Sequence, residues 1–218
     1  MKMQVARFCS VASTSTNLPR TVRSCVRELA LARQFVDEGS KTSLKKLVKV
    51  SLKQKESNEL TSRVAALGAF LALKHDRLDD ARQCLKKVTS SPPIVKSSLD
   101  VMYLVKMKEV NEALDILDDV LNTEQQIFNT ENSSITDDAL DCLHAEITKS
   151  KDTTDQMRRF RKLQRLLTTY KCRSTKPLLE ILNSSLETDF ITDDRVLGED
   201  LISDKVVEDF PHFLHKTV

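Results

Sequence analysis

The sequence predicts an all-α fold of stacked helical hairpins, antiparallel within each pair. Three observations predict it. Glycine and proline are scarce, 3 and 5 in 218 residues, whereas sheets need the turns such residues build. Apolar residues recur at helical spacing through most of 22–185. Two segments also repeat each other: Leu67, Leu71, Leu73, Leu78, Ala81, Leu85 and Val88 stand 32 residues before Leu99, Tyr103, Val105, Val110, Ala113, Leu117 and Val120.

Residues 22–38 place Val22, Val26, Leu29, Ala30, Phe35 and Val36 on a helix that Gly39 stops. Thr42-Ser43 opens a second, with Leu44, Leu47, Val48 and Leu52 on one face and Lys45, Lys46, Lys49 and Lys53 on the other. Residues 59–74 form the most apolar helix, and Ala65, Ala66, Gly68, Ala69 and Ala72 let a neighbour come close. The turn His75-Asp76-Arg77 leads to a partner helix over 78–88. Pro92-Pro93 pre-sets the next start, and 94–106 and 110–121 form a second pair. One hairpin cannot bury its apolar face alone, so neighbours stack and share a core. The period is near that of tetratricopeptide and pentatricopeptide repeats, clearest over 60–90 and 92–122.

Residues 122–134 are polar and read as a loop. Ser134 or Thr136 caps the next helix, with Asp137 and Asp138 at its positive end and Ala139, Leu140, Leu143 and Ile147 on its apolar face. Asp152 or Thr153 starts a long helix to about Tyr170. Ser174-Thr175 opens a short one, with Pro177 in its first turn and Leu178, Leu179, Ile181 and Leu182 apolar. The helical-repeat domain is therefore 22–185. Residues 186–218 read as an acidic, mobile tail with a weak apolar patch over 210–214.

The net charge of +2 is too small by itself to imply a polyanion partner, but the charges are segregated. Basic residues gather before Lys55 and over 158–176, acids over 187–209. Five scattered cysteines with no C-x-x-C spacing argue against a disulfide framework or structural zinc and for a reducing compartment. No apolar run is long enough to span a bilayer, and no signal-peptide core is present, so the sequons at Asn132 and Asn183 read as chance. Lys2, Arg7, Arg20, Arg23 and Arg27 precede the first acid, Glu28, among serines and threonines. That is the bias of a mitochondrial presequence, so 1–21 is either such a segment or a disordered start.

No phosphate-cradling glycine loop, dinucleotide fingerprint or zinc-protease motif occurs. His75 falls in a turn and reads as solvated or capping; Cys142 and His144, two apart on a helix, point to different faces. His212-x-x-His215 lies in the tail, and the pairs Asp118-Asp119 and Asp137-Asp138 read as a solvated face and an N-cap. The chain is expected to be no enzyme and to need no cofactor or metal. The basic helix is the feature that invites a function. Arg158, Arg161, Lys162 and Arg165 recur on one side; Phe160, Leu163, Leu167 and Tyr170 occupy the other; Arg159, Lys171, Arg173 and Lys176 extend the positive zone. Such a face lines a phosphate backbone or is simply solvated, and the lysine face with Lys45 and Lys49 carries the same two readings.

The runs RVAALGAFLALKHDRLDDARQCLKKV (63–88), MKEVNEALDILDDVL (107–121), TDDALDCLHAEITKSKD (136–152), MRRFRKLQRLLTTYKC (157–172) and STKPLLEIL (174–182) share an order and spacing with a known family. In them the chain resembles the C-terminal part of the pentatricopeptide repeat-containing protein 2 family of animal mitochondria. The resemblance covers a little over half the chain. It implies a matrix protein that acts in processing or maturation of mitochondrial RNA, supports the respiratory chain, and binds RNA through stacked hairpins without a nuclease centre. The 32-residue spacing breaks the register of strict pentatricopeptide repeats, so no base-reading residues are carried over, and 1–27 reads either as a targeting segment or as part of a truncated repeat. The other reading is a protein-interaction scaffold that holds a peptide or helix in the hairpin groove, favoured by the acids Asp115, Asp118 and Asp119.

Overall fold

The computed structural model describes residues 20–54, 58–126, 134–149 and 153–184. The expected presequence up to residue 19, the tail beyond 184, Asn132, and the His212/His215 pair lie outside the described residues. Residues 21–183 form one compact unit. In chain order its elements are α1 Arg20–Glu38, α2 Lys41–Lys53, α3 Glu59–Lys74, α4 Leu78–Leu85, α5 Pro93–Met107, α6 Val110–Gln126, β1 Ile135–Thr136, α7 Asp137–Lys149, α8 Thr153–Thr169, β2 Arg173–Ser174 and α9 Leu178–Asn183. The described chain is thus all-α but for one two-residue parallel bridge, Ile135 opposite Arg173 and Thr136 opposite Ser174.

Gly39, at φ +58°, stops α1 as expected. The start of α2 differs from Thr42-Ser43. The Ser40 hydroxyl accepts from the Ser43 amide at 3.0 Å and caps the helix, which begins at Lys41. Asn58 and Thr61 close a reciprocal capping box at the head of α3. That helix is buried on nearly every side, in keeping with its apolar sequence. It packs on α2, α4 and α5. Gly68 admits this approach, since a Cβ there would stand 3.1 Å from both Cys84 Sγ and Ser51 Oγ.

The 32-residue offset maps turn onto turn. Asp76 (φ 54°) and Lys108 (φ 63°) both take the left-handed conformation that ends a helix. Beyond them, Arg77 N donates to Ala72 O and Glu109 N to Leu104 O, each at 2.9 Å. Ala81 N then donates to Arg77 O, and Ala113 N to Glu109 O. Ala81 and Ala113 are fully buried.

Other boundaries moved. α4 stops at Leu85 rather than Val88, because Lys87 and Val88 turn tightly back on Cys84 O and Leu85 O. α6 runs through 122–126, which read as loop; these residues include no glycine or proline, and Glu and Gln are good helix formers. Thr136 is in β1 and its hydroxyl, buried, has no hydrogen-bond partner, so it does not cap α7. Its amide donates instead to Ser98 Oγ at 3.0 Å. Ser174 lies in β2, so the last helix starts after Pro177, with the Leu178 amide donating to Asp138 Oδ2.

α5 packs on α6 and α7, α8 lies against α6 and α7, and α9 touches α3 and α5. Leu114, Leu117, Ile135, Leu140, Leu143, Phe160 and Leu167 share one core there. Four residues assigned to apolar positions are exposed instead: Val26 (45%), Ala30, Leu52 (39%) and Tyr170 (52%). Val26 lies near the start of α1, Leu52 in the last turn of α2 and Tyr170 just past the end of α8, where no neighbouring element need cover them. No described helix is long and apolar enough to cross a membrane. Among the described residues no group of three or more His, Cys, Asp or Glu is placed to hold a metal ion.

Candidate nucleic-acid interface

The sequence of α8 sorts its side chains by the helical period. Phe160, Leu163 and Leu167, at i, i+3 and i+7, are buried in the core shared with α6 and α7. The other side is left to Arg158, Arg161, Lys162 and Arg165, all exposed. These four line one open groove of about 680 Å³, with Met157, Leu166 and Thr148 of α7 also in its lining. Arg158 to Arg165 covers about 10 Å of helix axis.

Few acids compete for these cations. Arg158 Nη1 lies 3.8 Å from Asp155, an exposed pair worth little. Arg161, Lys162 and Arg165 make no side-chain ion pair among the described residues. The Thr148 and Thr169 hydroxyls donate to His144 O and Arg165 O, satisfying their own helices. The groove therefore offers four exposed cations with two apolar side chains in the same lining, chemistry suited to an extended polyanion.

Two basic residues expected to extend this zone do not. Arg159 turns to α6 and pairs with both Asp115 and Asp118. Arg173 is held by Asp137 at 2.8 Å and by Thr168 Oγ1. Lys171 and Lys176 are exposed but do not line the groove. Lys45 and Lys49 are exposed on α2, which packs on α3 and α4, so they are not brought together with the α8 residues.

The remaining candidates have structural roles. His75 ends α3, and its Nε2 donates to the Gly39 carbonyl at 3.0 Å, tying the α1–α2 junction to the α3–α4 turn. The His144 ring stacks on Phe160, centroids 5.5 Å apart, while Cys142 faces a different groove. Asp138, expected at an N-cap, is instead the second residue of α7, and its carboxylate accepts from the Ala139 and Leu178 amides. Sequence reasoning missed Thr148, which carries no signal of its own. It also missed a second concavity ringed by Lys74, Lys106, Lys108 and Lys149, although Lys74 and Lys106 share the 32-residue offset. Comparison with protein-family models, curated proteins and solved structures finds no match to this chain.

Proposed function

We propose that the chain is a non-catalytic RNA-binding protein of mitochondria that holds a transcript by its phosphates during processing or maturation and so supports the respiratory chain. The observation that carries the RNA reading is the α8 groove, where Arg158, Arg161, Lys162 and Arg165 converge with Asp155 as the one ion-pairing acid among the described residues. A flexible single strand follows such a face, and each phosphate contact releases counterions. Lys45 and Lys49 serve as an outlying contact for the same strand. The mitochondrial location rests on the family resemblance and on the basic, acid-free start of the sequence.

A hairpin-repeat architecture of the pentatricopeptide kind belongs to the same proposal. Its support is the offset that carries residue pattern, left-handed turn and backbone bonds from α3–α4 onto α5–α6. The test is binding to a single-stranded RNA pool. The variant with Arg158, Arg161, Lys162 and Arg165 changed to Gln loses binding, and the variant with Lys45 and Lys49 changed to Gln loses less. Failure of the wild-type chain to bind at low salt sinks the reading.

A further inference from the structure

A second groove lies where the C-terminal turns of α3 and α5 meet α7. Its volume is about 660 Å³, enough for a few side chains of a partner. Phe70, Leu73, Met102 and Val105 give it an apolar floor. Phe70 and Met102 are half-buried and so available to a guest, and methionine adapts to irregular surfaces. Lys74, Lys106, Lys108 and Lys149 line it as well.

The acids of this groove are already engaged. Asp138 accepts from the Ala139 and Leu178 amides, both at 3.0 Å. Glu146 lies 3.7 Å from Lys149 Nζ. Lys106 is bonded to Asp76 at 2.6 Å. Lys74 and Lys108 remain exposed, with no ion pair among the described residues. A lysine at a helix C-terminus complements the negative end of the dipole. That role satisfies the helix and still leaves two cations without a carboxylate beside an apolar floor.

We propose that this groove docks an acidic amphipathic helix of another protein, its apolar side on Phe70 and Met102 and its carboxylates toward Lys74 and Lys108. The mode is a helix laid in a groove, with apolar anchors for affinity and charge for selection. A nucleic acid is the poorer occupant, because a phosphate backbone has no apolar side to cover Phe70 and Met102, as an amphipathic helix does. The proposal stands apart from the RNA reading of α8 and uses none of its residues.

The test uses a fluorescein-labelled helical peptide with Leu at i, i+3, i+4 and i+7 and Glu on its other face. A twin with Lys in place of every Glu is the control. Both are titrated by anisotropy against the full chain. The acidic peptide binds about tenfold or more tightly than its twin, and the Met102 methyl resonance shifts only with the acidic one. K74E/K108E reverses the preference, and K74Q/K108Q abolishes it while circular dichroism stays unchanged. Equal binding of the two peptides, no binding of either, or an unchanged preference in K74E/K108E overturns the proposal. So does loss of single-stranded RNA binding in K74E/K108E with retention in the α8 glutamine variant.

Discussion

Arg159 of α8 reaches across to α6, its Nη2 2.7 Å from Asp115 Oδ1 and its Nε 3.1 Å from Asp118 Oδ2. Asp118 first and Asp115 second raise the affinity of this guanidinium for its proton. Arg158, one residue earlier, points away and lines the groove. Consecutive residues of a helix stand about 100° apart, so one of two adjacent arginines fastens α8 to α6 while the other faces the groove, with the exposed Asp155 3.8 Å away. Replacing Arg159 by Gln lowers stability by about 1 kcal/mol, the upper range for a partly exposed pair, because two acids share the cation. Under the proposed function it leaves RNA binding intact, since Arg159 does not line the groove. A double-mutant cycle in urea, with Asp118→Asn as second change, checks this; zero coupling contradicts it.

Gly68 is the point of closest approach for α3. The helix gains about 1 kcal/mol from Gly→Ala in propensity. Against that, a new Cβ 3.1 Å from Cys84 Sγ and Ser51 Oγ meets two fully buried side chains, which must shift to admit it. Overpacking costs about 1–3 kcal/mol, so G68A is destabilising on balance and G68V more so. A G68A chain more stable than wild type in urea would show that α2 and α4 yield there.

Burial pushes the Cys84 thiol up to about 12, with Asp80 adding to the effect and a Ser51 hydrogen bond opposing it. The neutral thiol is the form the fold favours. Its contribution to stability is present below the ordinary value of about 9 and is lost as pH climbs toward 12. Cys142 is exposed, and its thiol is also raised, by burial of the sulfur and by Asp138. Timed alkylation at pH 8, read by mass spectrometry, labels Cys142 slowly and spares Cys84 until the chain unfolds. Rapid native labelling of Cys84 contradicts the packing of α4 on α3.

Asp100 on α5 is half-buried, and burial raises its pKa, with Lys96 offsetting part of the shift. A carboxyl raised above its unfolded value stabilises the fold while protonated, and that contribution is lost as pH rises through the folded value. The neutral isostere D100N therefore raises the melting temperature at pH 7 and changes it little at pH 3. An equal or opposite change at the two pH values would refute this.

Elements were legible where one local cause decided them. The apolar run of α3, the Asp76 and Lys108 turns and the start of α5 at Pro92-Pro93 are written in neighbouring residues. The β1–β2 bridge was not legible, because it joins residues 135–136 to 173–174 through contacts far apart in the chain. The Ser40 cap was misplaced because Thr42 and Ser43 have the same hydroxyl chemistry, and only backbone geometry decides which one accepts. At the site, the four groove cations followed from the helical period. The loss of Arg159 and Arg173 to acids on α6 and α7 did not, since no spacing rule reports which helix faces α8.

The proposed role of Arg158, Arg161, Lys162 and Arg165 is to hold RNA phosphates. The most direct measurement is the salt dependence of single-stranded RNA binding, for wild type and for the variant with all four changed to Gln. Each lost phosphate contact lowers the slope of log K against log salt by about 0.7. The slope is expected to be shallower by about 3 in the variant, with affinity lost most at low salt. Equal slopes for the two proteins would contradict it and place any RNA contact elsewhere.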